Sequence, residues 1–339
     1  CNVLMCKRIL VSQTNTEDGV PFYKIGTIGS TPDAYISKEL FDDYKVKYNY
    51  PRKGEVMITC AGTVGKCVVY DGEDAYFQDS NIVWIDNPTQ YISNGFLFHL
   101  LSKVDWRKLN STTIIRIYND DLRNLKMSYP RKEEQQKISH LLSLLDERIA
   151  TQNKIIEKLQ SLIKGLAAQL TQSGTPNIRL CDCLECHSST LLENCVSVTG
   201  SYPVYGATGL IGYTNNYAYN GESILIVKDG SGVGSLSYVN DHFSVIGTLN
   251  YLTAKENYSI LYLYYALMAF NFTPYITGMA IPHIYFKDYG KAKLFYPSIE
   301  KRIRIASLLH NIEQKLVVEQ NLVISLSTQK SYLLRMLFI

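Results

Sequence analysis

Two carboxylates and a lysine stand in the order Pro32-Asp33 … Asp43-Tyr44-Lys45, a set that in a nuclease would hold Mg²⁺ and orient a water molecule. Matches this short are common by chance, and Asp42-Asp43 sits in a Tyr- and Lys-rich stretch, so a solvated charged face is the plainer reading. Cys181-x-Cys183-x-x-Cys186-His187 with Cys195 offers ligand types for Zn²⁺. The usual second pair of ligands after a long spacer is missing, so buried free thiols are expected and no metal. Gly230-Ser-Gly-Val-Gly-Ser235 is followed by strand-like Leu236–Val239 where a dinucleotide fingerprint needs a helix, and it lacks the Gly-Lys-Ser/Thr ending of a phosphate loop. His99, His140, His242 and His310 are scattered, with no evident Ser or Cys nucleophile beside them. None of these sets predicts catalysis.

A different chemistry, reading the edges of bases, needs loops with short polar side chains, an Arg or Lys, and glycines that let the backbone approach a duplex. Four pairs of stretches qualify. The first is Tyr23–Ser30 with Tyr205–Gly212, contributing Tyr23, Lys24, Thr27, Ser30, Tyr205 and Thr208. The second is Thr59–Lys66 with Lys228–Ser235, contributing Thr63, Lys66, Lys228, Ser231 and Ser235. The third is Gln78–Asn81 opposite Gly247-Thr248 and Asn250, contributing Gln78, Asn81, Thr248 and Asn250. The fourth is Asn110–Arg116 with Gly278–His283, contributing Ser111, Thr112, Thr113, Arg116 and His283. Ordinary turn chemistry is the alternative for any one residue; each loop as a group reads as a contact surface. Asn87-Pro88-Thr89-Gln90 lacks the second proline and the aromatic that would stack on a flipped base, so the chain is not expected to methylate by itself.

The elements that must hold these loops form a repeat. At an offset of 167 residues Gly54-Glu55 matches Gly221-Glu222, Tyr129-Pro130 matches Tyr296-Pro297, and Ile138, Leu141, Leu159 and Leu166 match Ile305, Leu308, Leu326 and Leu333. Each copy begins with a Tyr-, Gly- and β-branched-rich segment that reads as a compact α/β domain of short strands. It ends in a helix of about 40 residues, roughly 131–172 and 298–338, opened by a proline suited to a first helical turn. The predicted class is α+β: a first recognition domain over 1–129, a helix over 130–173, a second domain over 174–296 and a second helix over 297–339. A heptad reading puts Ile138, Leu145, Gln152, Leu159 and Leu166 at a and Leu141, Arg148, Ile155 and Leu162 at d, with Ile305, Ile312, Glu319, Leu326 and Leu333, then Leu308, Lys315 and Leu322, in the second helix. The two seams predict an intramolecular coiled coil. The short linker Thr171–Pro176 and the closeness of domain termini make it antiparallel, with a pseudo-twofold relation between the copies. Arg148/Gln152 and Lys315/Glu319 break both seams at the same layer, which predicts either a register-fixing polar layer or a place where a partner protein docks.

Composition narrows the partners. The 34 basic and 31 acidic residues leave a net charge of +3, which excludes a polycation gripping nucleic acid by charge alone. The helices carry +5 between them and the domains are neutral to slightly acidic, so contact by the domains must be local and geometrical. The 46% hydrophobic content supports real cores, eight Cys are too few for a disulfide scaffold, and no apolar run reaches the ~18 residues a bilayer span needs. A cytoplasmic chain without membrane contact is the expectation. Residue 1 is Cys, so the native chain is expected to begin earlier. The 26 Tyr suit surfaces that stack and hydrogen-bond, or equally a β-rich core.

The order domain, helix, domain, helix resembles the specificity subunits of type I restriction–modification systems over the whole chain. Tyr202-Pro-Val-Tyr-Gly-Ala-Thr-Gly-Leu-Ile-Gly212 is similar to that family's Y-P-V-Y-G-A-x-G-x-I-G, with a looser copy at Pro21–Gly29. Pro130 with Glu134-Gln135 and Ile138 resembles its P-x-x-x-E-Q-x-x-I; the second copy has Lys301-Arg302 instead of Glu-Gln. The resemblance implies a non-catalytic subunit whose two domains each read half of a bipartite double-stranded DNA site. It also implies helices that set the spacing and dock two modification (methyltransferase) subunits, with Glu134, Gln135, Arg148, Gln152, Lys315 and Glu319 as docking or spacer residues, and restriction subunits joining through the complex. S-adenosylmethionine would then sit on the modification subunits, ATP and Mg²⁺ on the restriction subunits, and no cofactor on this chain. The rival readings are a stand-alone Mg²⁺ nuclease using Asp33, Asp43 and Lys45, and a coiled-coil scaffold whose heads bind protein or glycan.

Overall fold

A computed structural model of the chain describes residues 2–88, 91–108 and 116–338. The chain divides into two compact units, Cys1–Thr151 with Leu322–Ile339, and Gln152–Asn321.

In the first unit, β1 (Asn2–Leu4), β2 (Val20–Tyr23), β3 (Tyr35–Ile36), α1 (Lys38–Lys47), β4 (Val56–Thr59), β5 (Cys67–Val69), β6 (Tyr76–Phe77), β7 (Ile82–Asp86), α2 (Asn94–Lys103) and α3 (Asn119–Arg123) precede the long helix α4 (Lys132–Thr171). The strands form an antiparallel sheet β1-β7-β4-β5 and a smaller sheet β3-β2-β6, in which β2 and β6 run parallel. Every residue of β4 is buried, as expected for a central strand covered on both faces. The side chains of Ser37 and Ser93 accept hydrogen bonds from Leu40 N and Phe96 N, which starts α1 and α2 where capping serines stand. One core gathers Phe41, Tyr76, Phe77 and Trp84; the other packs α2 (Phe96, Leu97, Leu101) on Val56, Ile58 and Val83.

The second unit holds β8 (Ile178–Arg179), α5 (Leu180–Cys183), β9 (Leu184–Ser188), β10 (Tyr202–Gly206), β11 (Gly209–Thr214), β12 (Tyr219–Val227), β13 (Leu236–Val245), β14 (Leu249–Ala254), α6 (Ile260–Met268), α7 (Phe286–Tyr289), β15 (Lys293–Leu294) and most of α8 (Ile299–Leu337). Its main sheet runs β11-β10-β13-β12-β14-β9, with only β10 and β13 parallel, and β15 pairs with β8. Tyr262, Tyr264, Tyr265 and Tyr289 are buried here, and Glu313 on α8 accepts the hydroxyls of Tyr264 and Tyr265 at 2.9 and 2.6 Å. Much of the tyrosine content therefore builds cores.

The repeat is carried by the fold. At the 167-residue offset β7 falls on β14, α2 on α6 and α3 on α7. Upstream the offset is 182 residues, pairing β2 with β10 and β1 with β9, because α1 has no counterpart in the second copy.

Each unit contains an antiparallel stretch of the two long helices. In the first, Ile138 and Leu142 share a core with Leu333, Leu337 and Phe338, and Lys330 donates to Asp146. In the second, Ala167 packs with Ile305, Ala306 and Leu309, and Gln152 donates to Glu319. The heptad reading needs one correction. The buried partners of the a positions are Leu142, Ile163 and Leu309, four residues on, while Leu141, Leu162 and Leu308 at the expected d positions are exposed. The a-and-e face is the one that also meets the globular cores, so burying it removes more apolar area from water.

Candidate nucleic-acid interface

Backbone hydrogen bonds bring the loop stretches together, in the same way in both units. In the first, Gln78 N donates to Tyr23 O (2.9 Å), Cys60 N to Asn81 O (2.7 Å) and Ile117 N to Cys60 O (2.9 Å). In the second, Ile246 N donates to Tyr205 O (3.0 Å), Lys228 N to Thr248 O (3.0 Å) and Ile284 N to Lys228 O (2.9 Å). Each frame thus ties the first stretch to the third, the third to the second, and the second to the residue that follows the fourth, Ile117 or Ile284. Since these shared bonds use only main-chain atoms, they are indifferent to loop residue type, and side-chain bonds such as those of Gln78, Lys66 and Arg116 add to them in the first unit alone.

On the first frame Lys24 pairs with Asp33 (2.9 Å), and Thr27 Oγ1 accepts from Lys24 N at 3.0 Å. Gln78 Oε1 accepts from Ile25 N (3.3 Å) and Lys66 Nζ donates to Ile28 O (2.5 Å), so both side chains brace the first loop. Tyr23 stacks on Phe77 with centroids 5.9 Å apart, and burial raises its pKa above the ordinary phenol value. Ser30 and Thr63 are exposed, Asn81 half-buried, and Arg116 donates to Ser80 O at 3.2 Å. Ser111, Thr112 and Thr113 lie outside the described residues, as do Thr89 and Gln90. On the second frame Thr208, Ser231 and Ser235 are exposed or half-exposed, and Tyr205, Lys228 and His283 are half-buried at the loop bases. Burial raises the pKa of Tyr205 too.

Three expectations on individual residues need correcting. Asn250 is no loop residue: it sits in β14, 6% exposed, with Oδ1 accepting from Ser188 Oγ at 3.0 Å, so it supports the sheet. Thr248 turns its hydroxyl inward, away from solvent. Gln135 cannot present itself to a docking partner. It is 1% exposed, accepts from Ser93 N (2.8 Å), and donates to Tyr91 O and Pro130 O (both 2.9 Å), clamping the start of α4 to the start of α2. In the second copy Arg302 takes the matching bond, to Pro297 O at 2.7 Å, and lies over the Tyr296 ring. That substitution explains the missing Glu-Gln pair. Glu134, Arg148 and Lys315 are exposed, whereas Gln152 and Glu319 are buried against each other, with Lys315 pairing Glu319 from the rim.

The other chemical sets do not assemble. Asp33 pairs with Lys24, Asp43 with Lys47 and Lys45 with Asp74, three separate surface ion pairs rather than one site. Burial raises the Cys183 thiol to about 12 and that of Cys186 to about 11, while Cys195 is exposed; among the described residues no group of three or more His, Cys, Asp or Glu could hold a metal ion. Asn87 is buried and donates to Ile92 O, a structural use of that motif. No helix among the described residues is long and apolar enough to cross a membrane.

Two repeated α/β units, each tied by the same three backbone bonds and each packed on a stretch of two long helices, define a tandem-repeat protein. The profile of the type I restriction modification DNA specificity domain matches residues 1–161 and 177–326, and the chain belongs to that family. It is 49% identical over 162 residues to the putative type I restriction enzyme specificity subunit S.HindORF215P of Haemophilus influenzae, covering 48% of this chain and 41% of that protein. It is 28% identical over 112 residues to the type I restriction enzyme EcoprrI specificity subunit of Escherichia coli, covering 33% and 28%. The chain thus matches less than half the length of these relatives. Among solved structures, the type I restriction-modification S subunit from M. genitalium shares the fold at a TM-score of 0.70 and 18% identity, covering 100% of this chain and 93% of that one. A chain from a structural study of type I R-M complex assembly and conformational transition aligns at a TM-score of 0.53 and 15% identity, covering 98% and 90%.

Proposed function

We propose that the chain is the non-catalytic specificity subunit of a type I restriction–modification enzyme. Each unit reads one half of a bipartite double-stranded DNA site through its four-loop frame, and the long helices set the spacing between halves. The observation that carries this reading is the recurrence of the same three backbone bonds in both units. Such a device holds four loops in fixed register while their side chains vary, which suits two heads that read different sequences. The exposed Leu141, Leu144, Leu162, Ile303 and Leu308 on the helices, beside Glu134, Arg148 and Lys315, fit docking of two modification subunits, one per repeat. S-adenosylmethionine then belongs to those subunits, and ATP and Mg²⁺ to restriction subunits that join through the complex.

The test is methylome sequencing of a host carrying this chain with its partner subunits. A bipartite methylated sequence is expected, and exchanging residues 174–296 for another recognition domain should change one half of it only. A change in both halves, or methylation without sequence preference, would refute independent reading heads.

A further inference from the structure

The fourth loop of the second unit holds two apolar side chains out in solvent, and the backbone is built to keep them there. Thr277 N donates to His283 O at 2.9 Å and His283 N to Thr277 O at 2.8 Å, closing a turn over the intervening residues. Gly230, from the second loop, donates to Pro282 O at 2.9 Å, and His283 Nδ1 lies 3.2 Å from Ile281 O. Gly278 has a φ of +89°, and a Cβ there would come within 2.3 Å of Ile281 O and 2.8 Å of His283 Nδ1, so only glycine closes the turn. The backbone of the tip is therefore braced from both sides. On it Met279 is 106% exposed, the most exposed large apolar side chain among the described residues, and Ile281 is 65% exposed.

Single exposed apolar residues are ordinary on a protein surface. Here two stand together on one braced turn, on a loop face whose polar side chains include Thr208, Lys228, Asp229, Ser231 and His283 and whose other exposed large apolar side chain is Leu210. Two side chains are far too little area for a protein–protein interface, which buries about 800 Å² per partner. They suit a duplex instead, since apolar side chains such as Met and Ile enter a groove and slip between stacked base pairs.

We propose that Met279 and Ile281 form an apolar wedge that unstacks one base step of duplex DNA in the half-site read by the second unit. The inference rests on the reading that this loop face meets DNA. Lys228 and His283 at the base of the tip stand where phosphates flanking the opened step would lie. Because pyrimidine–purine steps unstack most easily, the wedge would favour such a step without hydrogen-bonding to it, adding specificity by deformation.

The test uses the full chain assembled with its partner subunits and duplexes bearing the methylation-defined site, with 2-aminopurine placed at each step in turn. A several-fold rise in fluorescence on binding is expected at one step. In the double variant Met279→Ala/Ile281→Ala that rise should vanish and binding to the site should weaken at least ten-fold, with the thermal midpoint unchanged because both side chains are solvent-exposed. Site-specific binding with no rise at any step overturns the wedge and leaves the DNA-reading function standing. Loss of partner-subunit association in the double variant, with unstacking retained, overturns it in favour of a protein contact. No site-specific binding by the wild-type complex overturns the functional reading itself.

Discussion

The polar layer between the long helices makes the sharpest energetic prediction. Gln152 is 1% and Glu319 6% exposed, and the Gln152 amide donates to the Glu319 carboxylate, whose other oxygen meets Lys315. The Lys315 side chain is more than half exposed, so water screens much of its attraction and the amide is the main buried partner of that charge. Replacing Gln152 by Leu leaves a buried carboxylate short of a donor; a hydrogen bond to a charged group contributes about 1.5–3 kcal/mol, so a loss of about 2 kcal/mol is expected. In a unit of this size that is a fall of about 4–8 °C in its melting transition. Glu319→Leu alone strands the Gln152 amide and should cost about 1–2 kcal/mol. The double variant removes both polar groups at once, and replacing a buried polar or ionic pair by packed apolar groups is neutral or stabilising. The two single losses should therefore not add: a coupling of about 3 kcal/mol is expected in a double-mutant cycle. Urea midpoints followed by circular dichroism measure it, with sedimentation to show whether the all-apolar seam still pairs within one chain. A double variant that loses the sum of the two singles would refute the pairing as the reason both positions are polar.

Two further substitutions test the first unit. His99 on α2 is buried, and desolvation, with Lys330 nearby, lowers its pKa against the smaller opposing pull of Asp146 and of a backbone contact at Ser139. The unfolded chain then binds the proton more tightly, so the unit should be at full stability above about pH 6.5 and lose stability as pH falls from there toward the lowered value. His99→Leu should flatten that slope in thermal melts between about pH 5 and 8, the range in which a histidine titrates; an unchanged slope would assign it to other groups. Gln135→Ala strands one N–H and two carbonyls at the α2–α4 clamp and should cost about 2–3 kcal/mol. Unchanged stability with lost subunit binding would return Gln135 to a docking role.

The repeat is legible in the sequence because matching residues stand at a constant offset wherever strand lengths must match for pairing. The strand opened by Gly54-Glu55, its counterpart after Gly221-Glu222, and the two long helices follow from that alone, whereas β7, α2 and their counterparts carry no matched residues that mark them. The buried seam is not legible, for a specific reason. Leu141-Leu142, Leu144-Leu145, Leu162-Ile163 and Leu308-Leu309 are adjacent apolar pairs, so two helical faces one residue apart carry nearly equal hydrophobicity. Only the globular cores, which press on the a-and-e face, decide between them. Gln135 and Asn250 look accessible in sequence because both are polar, while their buried partners are backbone and side-chain groups 42 and 62 residues away. The four loop stretches can be picked out one by one from their composition. Their convergence cannot, because the bonds common to both copies are main-chain and leave no mark on residue type.

A main-chain frame can be tested without touching DNA. Lys228 contributes its N–H to Thr248 O and its carbonyl to Ile284 N, so its backbone joins three loops while its side chain is not part of the frame. Lys228→Ala keeps both bonds and should leave the second unit's stability within about 0.5 kcal/mol, as for a surface change away from any special feature. It should still weaken DNA binding if the ammonium meets a phosphate. Lys228→Pro removes the N–H, leaves the Thr248 carbonyl without that donor, and restricts Val227 at the end of β12, since the residue before proline is itself constrained. A loss of about 1–3 kcal/mol is expected from the unpaired carbonyl, with sequence discrimination in one half-site collapsing before overall folding does. Equal stability of the two variants would show that side-chain contacts, not the backbone bonds, hold the loops together. The two copies would then owe their likeness to sheet topology alone, and the four loops would have no reason to keep their register when their side chains change.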